Sequence, residues 1–230
     1  MGFYQRVAGW HYEIEHAKDF AWGGGEKDFI LALSENEAGA GFAETPPALK
    51  NGWIAYVEVH DVDAAATAAE KLGGKIIRHP FEVPGVGRNA LLRDPLGALV
   101  GISLSRHNFP VPQRQFGVEV YLSDEPAFPT EFYSRLFDWK TGSPANGAQS
   151  GNLIVGPSGE DVALYLASKP PMEEQAIWMP SLKVLHPEAA LNDAKKLGAR
   201  PFTDISPEPA KRLYSFLRDP DGASICLRTA

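Results

Sequence analysis

FYQRVAGW, residues 3–10, recurs as FYSRLFDW at residues 132–139, an offset of 129 (132 − 3). Three further blocks recur at an offset of 125 (178 − 53), namely the residues around Trp53 and Trp178, KLG at 71–73 and 196–198, and LRDPxGA at 92–98 and 217–223. Blocks that recur in one order, with a single four-residue slip, indicate a duplicated domain with one variable loop. The chain is therefore predicted to contain two copies of one unit.

Within each copy the hydrophobic pattern alternates between strand and helix. In the first copy, 53–59 has strand character, 62–72 has helical spacing, and strand patterns follow at 75–78, 90–93 and 98–104. In the second copy, a strand at 117–122 and a helix at 128–137 that Pro129 opens precede strands at 139–142, 152–155 and 163–167. These patterns predict an α+β fold in which each copy contains two βαβββ modules.

The copies define the predicted domains. The first domain spans 1–105, a His/Pro/Gln/Arg stretch without apolar periodicity forms a linker at 106–114, and the second domain spans 115–230. The strand that opens the second copy has no counterpart before Phe3, so the first strand of the first module is expected to be missing. An unpaired sheet edge promotes association, so another segment or a second subunit is expected to fill the gap, and a homodimer is predicted.

Composition limits the partners and the compartment. The formal net charge is −7, which leaves little capacity to neutralise phosphates, so nucleic acid is not an expected partner. The apolar stretch 98–104 is far shorter than the ~20 residues of a membrane span, so no membrane partner is expected. Cys226 is the one cysteine, which excludes an internal disulfide and a clustered-cysteine metal site and favours a cytoplasmic location.

Taken together, the blocks resemble the vicinal oxygen chelate superfamily, which includes glyoxalase I, bleomycin-resistance proteins, fosfomycin-resistance enzymes and extradiol dioxygenases. The resemblance rests on the FY…W block at 3–10, WIAYVEVHDVDA at 53–64, LGG at 72–74, VGR at 86–88 and DPLGA at 94–98. It implies tandem glyoxalase-type domains, each a half-open curved sheet of paired βαβββ modules around a ligand or a divalent metal.

The resemblance also implies where a metal would bind. Catalytic members of the superfamily bind metal through His, Gln or Glu near the start of each module's first strand and through Glu on each last strand. The corresponding residues here are Gly117, Met179 and Cys226 in the second copy, and Ile54 and Gly101 in the first. None of these is a good ligand for a hard divalent ion, so no metal and no other cofactor is predicted.

Strand alternation and the implied geometry place a polar cavity in the second copy. The candidate ligand-binding residues are Glu119, Tyr121, Trp178, Met179, Lys183, Tyr214, Cys226 and Arg228. Glu119 and Lys183 could instead lie at the solvated mouth of the sheet, and Trp178 could pack at a module junction rather than stack on a ligand. The Asp-Pro-x-Gly turns at Asp94 and Asp219 are predicted to be structural.

Three functions remain open at this point. The first hypothesis is a protein that binds a small polar organic molecule without a catalytic metal, as bleomycin-resistance proteins do. The alternative is a lyase, isomerase or dioxygenase that depends on Mn, Fe, Ni, Zn or Mg. A third possibility is a protein-interaction module. The fold alone does not decide between these functions. The residues at the five aligned metal positions are poor metal ligands, which favours the first hypothesis.

Overall fold

The computed structural model describes residues 2–19, 22, 24–34, 37–46, 49–83, 86–106, 115–124, 128–142, 152–170, 175–202 and 214–229. All of the predicted linker except Arg106 lies outside these residues. No helix within the described ranges is both long enough and apolar enough to cross a bilayer.

In its described part, the first copy begins with a helix rather than a strand. Its first module is α1 (Gly2–Ala8), β1 (His11–Lys18), β2 (Glu26–Ser34) and β3 (Glu37–Phe42), with the strands in the antiparallel order β1-β2-β3. The second module is β4 (Tyr56–Glu58), α2 (Val62–Lys71), β5 (Lys75–Val83), β6 (Gly87–Arg93) and β7 (Leu99–Ser105), with strand order β4-β7-β6-β5. The helix α2 connects β4 at one edge of this sheet to β5 at the other, and it packs on one face against β5, β6 and β7.

In the second copy both modules have their opening strand. The first is β8 (Glu119–Ser123), α3 (Thr130–Phe137), β9 (Lys140–Gly142), β10 (Asn152–Val155) and β11 (Asp161–Ala167). After β12 (Ala176–Met179), the second is β13 (Ser181–Val184), α4 (Pro187–Lys196), β14 (Arg200–Pro201), β15 (Tyr214–Arg218) and β16 (Ser224–Thr229). The sheet orders are β12-β8-β11-β10-β9 and β13-β16-β15-β14. The predicted α+β fold of small curved sheets is confirmed.

A single proline carries the chain from one sheet of the second copy to the other. Met179 ends β12 opposite Val120 of β8, and Ser181 begins β13 beside Cys226 of β16. Pro180 lies between them, at a position where no ladder N–H is needed. The two sheets therefore meet along a seam at residues 179–181.

Local sequence explains why α2 is helical and where it packs. The side chain of Asp61 caps its first turn by accepting a hydrogen bond from the Ala64 N–H, and Gly73, with φ of 86°, follows its end. Val62, Ala66 and Ala69 follow helical spacing and are all buried. They share a core with aromatic residues of α3, so the helix buries its apolar face partly against the other copy.

The pairing of the copies is reciprocal. The α1 helix packs against α4 and β13, while α2 packs against α3. Tyr4, Val7 and Trp10 therefore share one core with residues of β13, α4 and β16. Each of these two cores contains residues of both copies, so neither copy has a complete core without the other.

Residues of the second copy lie next to β3, which pairs only with β2 among the described strands. A Cβ on Gly39 of β3 would lie 3.6 Å from Gln115 Oε1, and Trp10 Nε1 donates a hydrogen bond to the same oxygen. The Phe116 ring lies 5.9 Å from Trp10 and 6.0 Å from Trp53, between ring centroids. Another segment of the chain thus approaches the place of the missing strand, and the homodimer stays a prediction.

Candidate functional site

Asp94 is the centre of a buried hydrogen-bond network between the copies. Its Oδ1 accepts from the backbone N–H groups of Leu96 and Ala98, both at 2.9 Å, which closes the turn before β7. Its Oδ2 accepts from the hydroxyls of Tyr121 at 2.7 Å and Tyr133 at 2.9 Å, both in the other copy. Burial raises the pKa of Asp94, and the four donors oppose that rise by stabilising the carboxylate.

In the described part of the chain, a similar network with one tyrosine donor instead of two exists a second time, with the copies exchanged. Tyr4 donates to Asp219 Oδ2 at 2.7 Å, and Trp53 Nε1 donates to the Tyr4 hydroxyl at 3.0 Å. The counterpart is Trp178, whose Nε1 donates to the Tyr133 hydroxyl at 2.7 Å. The tyrosine of each copy thus bonds the aspartate of the other copy.

These contacts explain the motifs that reveal the duplication. Tyr4 stacks on Trp10 with ring centroids 5.1 Å apart, and Tyr133 stacks on Trp139 at 5.5 Å. In each copy, the chain that leaves the helix therefore turns back, and its tryptophan stacks on the tyrosine of that helix. The repeated aromatic and Asp-Pro blocks join the copies to each other, in agreement with the structural role predicted for the turns.

Two candidate residues lie in this network instead of a cavity with Glu119. Tyr121 is fully buried and packs with Trp178 and Tyr133 on the face of β8 that meets the first copy. The opposite face, with Val120 and Leu122, lines the core between the two sheets of the second copy. The expectation that Tyr121 and Trp178 share a cavity with Glu119 is therefore wrong.

Alternation along β8 does not account for the contacts of the Glu119 carboxyl. Glu119 and Tyr121 both lie in β8, and Glu119 is its first residue, directly after Val118 with its φ of 26°. The Glu119 carboxyl accepts a hydrogen bond from the Ser181 N–H at 2.5 Å. It thus reaches the seam between the sheets.

The other polar candidates converge on that seam. The cluster consists of Glu119, Ser181, Lys183, Tyr214, Cys226 and Arg228, which are called the seam cluster below. Ser181 and Lys183 of β13 lie beside Cys226 and Arg228 of β16, and Tyr214 of β15 lies opposite Arg228. Five of the eight predicted site residues are brought together here.

Glu119 has the most perturbed carboxyl of the cluster. Burial raises its pKa to about 7, although the Ser181 N–H and the charges of Lys183 and Arg228 all favour the ionised form. Among the described residues, Ser181 N–H is the one hydrogen-bond donor to this carboxyl. Near neutral pH the group is therefore present in both protonation states, as a donor and as an acceptor.

Around Glu119 the cluster carries two fixed cations and a neutral phenol. The guanidinium of Arg228 donates to the Gly117 carbonyl at 3.1 Å, and its Cζ lies 5.9 Å from the Tyr214 ring centroid. Burial raises the pKa of Tyr214 to about 12, so its hydroxyl stays protonated and donates to the Val118 carbonyl at 3.4 Å. The Ser181 hydroxyl is buried and, within the described part of the chain, has no hydrogen-bond partner.

Met179 and Cys226 contribute apolar surface beside these groups. Both side chains are fully buried, and they pack with Leu166 and Phe216 between the two sheets. Ser181 was not among the predicted site residues, although alternation along the strand places it on the same face as Lys183. The proline before it moves the chain between the sheets.

Known proteins resemble this chain in sequence. Residues 119–228 match the glyoxalase-like domain family. The protein CFP32 of Mycobacterium tuberculosis, named as a candidate glyoxylase, is 27% identical over 230 residues, which cover 96% of this chain and 85% of the relative. The anthracycline biosynthesis protein DnrV of Streptomyces peucetius is 38% identical over 50 residues, 22% of this chain and 18% of that protein.

Solved structures resemble its fold. A variant of homoprotocatechuate 2,3-dioxygenase from B. fuscum, in complex with HPCA, superposes with a TM-score of 0.60 at 15% identity. The match covers 100% of this chain and 66% of the dioxygenase, so the chain spans about two thirds of that protein's length. The matched domain family and these similar proteins fit the vicinal oxygen chelate superfamily. The fold of the chain is of the glyoxalase and extradiol dioxygenase type.

The side chains do not fit the metal that catalytic members of the vicinal oxygen chelate superfamily bind. The aligned ligand positions of the second copy carry Gly117, Met179 and Cys226. Burial raises the pKa of the Cys226 thiol well above its usual value, and this neutral thiol donates to the Pro180 carbonyl at 3.2 Å. Within the described ranges, no group of three or more His, Cys, Asp or Glu is placed to bind a metal ion.

Proposed function

We propose that the second copy binds a small polar organic molecule at the seam cluster, without a catalytic metal. The observation that carries this proposal is the convergence of Glu119, Lys183, Arg228 and the Ser181 hydroxyl, unpaired among the described residues, on one seam, where the half-buried Glu119 carboxyl accepts from the Ser181 N–H. Desolvation raises the pKa of Glu119 to about 7, although the charges of Lys183 and Arg228 favour its ionised form. Perturbed groups of this kind cluster at functional sites.

The chemistry of the cluster defines the class of ligand. Lys183 and Arg228 attract oxygen atoms that carry full or partial negative charge. Glu119 can donate to such an oxygen when protonated, and the Ser181 hydroxyl can donate or accept. The adjacent Met179 and Phe216 offer apolar contact. The ligand expected is a hydroxy, keto or carboxylic acid with a short apolar part.

The relatives' names support a small organic ligand. One relative is named for glyoxylase activity and another for anthracycline biosynthesis, and both names refer to reactions of small organic molecules. The latter match covers only 50 residues. The side chains of the seam cluster, rather than these names, therefore define the ligand class.

The binding test is isothermal titration calorimetry of the full chain with 2-hydroxy acids, 2-keto acids and their neutral amides, at pH 6 and at pH 8. The acids are expected to bind more tightly at pH 6, because protonated Glu119 donates to the ligand and no longer repels it. In Glu119→Gln the ratio of affinities between the two pH values is expected to fall from about tenfold to about one.

Glu70→Gln is the matched control, since Glu70 is an exposed carboxyl on α2 far from the seam. This variant should keep the pH dependence of the unmodified chain. Equal affinity for acids and amides, or a pH dependence that survives in Glu119→Gln, would contradict binding at the seam cluster.

A further inference from the structure

A separate cleft lies where the two copies meet. It has a volume of about 260 Å³, and its walls include Trp53, Ile54 and Leu99 of the first copy and Ile177 and Trp178 of the second. Asn51 Nδ2 donates to the Asp221 carbonyl at 3.0 Å, which joins the copies beside it. No residue of the seam cluster lines this cleft.

The walls contributed by the tryptophans are apolar. Trp53 and Trp178 are equivalent residues of the two copies, and each indole N–H is already bonded to a tyrosine hydroxyl. Both indoles are thus held at the edge of the cleft, with Trp178 largely buried in the core behind it. With Ile54, Leu99 and Ile177 they form walls suited to a flat, apolar molecule.

The charge of the lining has one sign. Lys50 and Arg93 are the charged side chains among the described lining residues, and none of these residues is acidic. This contrasts with the whole chain, whose formal net charge is −7. Arg93 also donates to the Gly97 carbonyl, which fixes one side of its guanidinium. Such a lining attracts an anion.

The volume of the cleft limits the size of the ligand. Drug-sized ligands occupy pockets of about 300–1,000 Å³, so a cleft slightly below that range suits one or two fused rings. We propose that the interdomain cleft binds a small aromatic carboxylate, with its rings against the apolar lining and its carboxylate toward Lys50 and Arg93. Because the walls come from both copies, the bound ligand would strengthen their association.

The test uses 1-naphthoate as the anionic probe and 1-naphthalenemethanol as its neutral counterpart, each titrated into the full chain by calorimetry. Naphthoate is expected to bind about tenfold more tightly, since hydrogen bonds to charged groups are the stronger ones. Lys50→Gln is expected to remove most of this preference. Lys75→Gln, at the exposed first residue of β5, should leave this preference unchanged.

A variant that fills the cleft provides a second test of the proposed binding site. Gly52 lines the cleft, and a Cβ there would meet no atom within 4 Å, so Gly52→Leu should fold and occupy the space. Naphthoate binding is expected to weaken at least about tenfold. Gly2→Leu, also with open space at its Cβ but outside the cleft, is the control. Equal binding of both probes, no binding of naphthoate at millimolar concentration, or unchanged binding by a folded Gly52→Leu would overturn the proposal.

Discussion

Replacing Asp94 with alanine is expected to lower the free energy of unfolding by about 4 kcal/mol, since hydrogen bonds to a buried charged group contribute roughly 1.5–3 kcal/mol each and are not additive. The substitution removes the acceptor of two backbone N–H groups and of the Tyr121 and Tyr133 hydroxyls. Those hydroxyls would remain buried without this acceptor. Urea denaturation followed by tryptophan fluorescence measures the loss.

Asp219→Ala is the matched control for this substitution. Asp219 accepts from two backbone N–H groups of its turn, as Asp94 does, but among the residues that the structure describes only Tyr4 donates to its Oδ2. Its loss should therefore cost about 1–2 kcal/mol less than that of Asp94. Equal losses for the two variants, or a loss below about 1 kcal/mol for Asp94→Ala, would show that the network contributes little to the pairing of the copies.

The stability of the chain is expected to fall as the pH rises from 4.5 toward 7, with Glu119 contributing a loss of about 3 kcal/mol. The carboxyl has a pKa of about 7 in the folded chain and 4.5 when unperturbed. Below pH 4.5 it is protonated in both states. Between these values only the unfolded chain loses the proton, which favours unfolding, and above pH 7 the effect is complete.

Comparison of the unmodified chain with Glu119→Gln isolates this contribution. The glutamine amide cannot ionise, and its oxygen can still accept from the Ser181 N–H. The variant should therefore gain stability relative to the unmodified chain between pH 5 and pH 8, by urea denaturation. Glu70→Gln should show no such gain. A constant difference between Glu119→Gln and the unmodified chain across this range would mean that Glu119 ionises normally.

The duplication and the α+β fold could be predicted because FYxxxxxW and LRDPxGA repeat in order. The pairing of the copies could not be predicted from the same residues. A repeat shows that Tyr4 and Tyr133 are equivalent, but it does not show whether each tyrosine bonds the aspartate of its own copy or of the other. The structure shows the exchanged arrangement in both networks.

The candidate site was predicted in part, for a similar reason. Lys183, Cys226 and Arg228 lie in regular strands where alternation holds, and β13 and β16 pair in parallel with Lys183 beside Arg228. Tyr121 lies two residues after Glu119 in the same strand, and alternation alone does not show that Tyr121 bonds Asp94 while Glu119 bonds the Ser181 N–H. The hydrogen bond between Glu119 and Ser181 depends on the passage from β12 to β13, and strand patterns do not show which residue of a segment changes sheets.

Metal content is the most direct test of the proposed metal-free site. Elemental analysis of the full chain, purified without chelator or metal-affinity resin, would be combined with thermal denaturation in the presence of Mn, Fe, Ni, Zn and Mg. The account predicts well below one equivalent of metal per chain and no stabilisation by any of these ions. About one equivalent of metal per chain, with a stabilisation that a chelator removes, would contradict it and favour a metal-dependent enzyme of the superfamily.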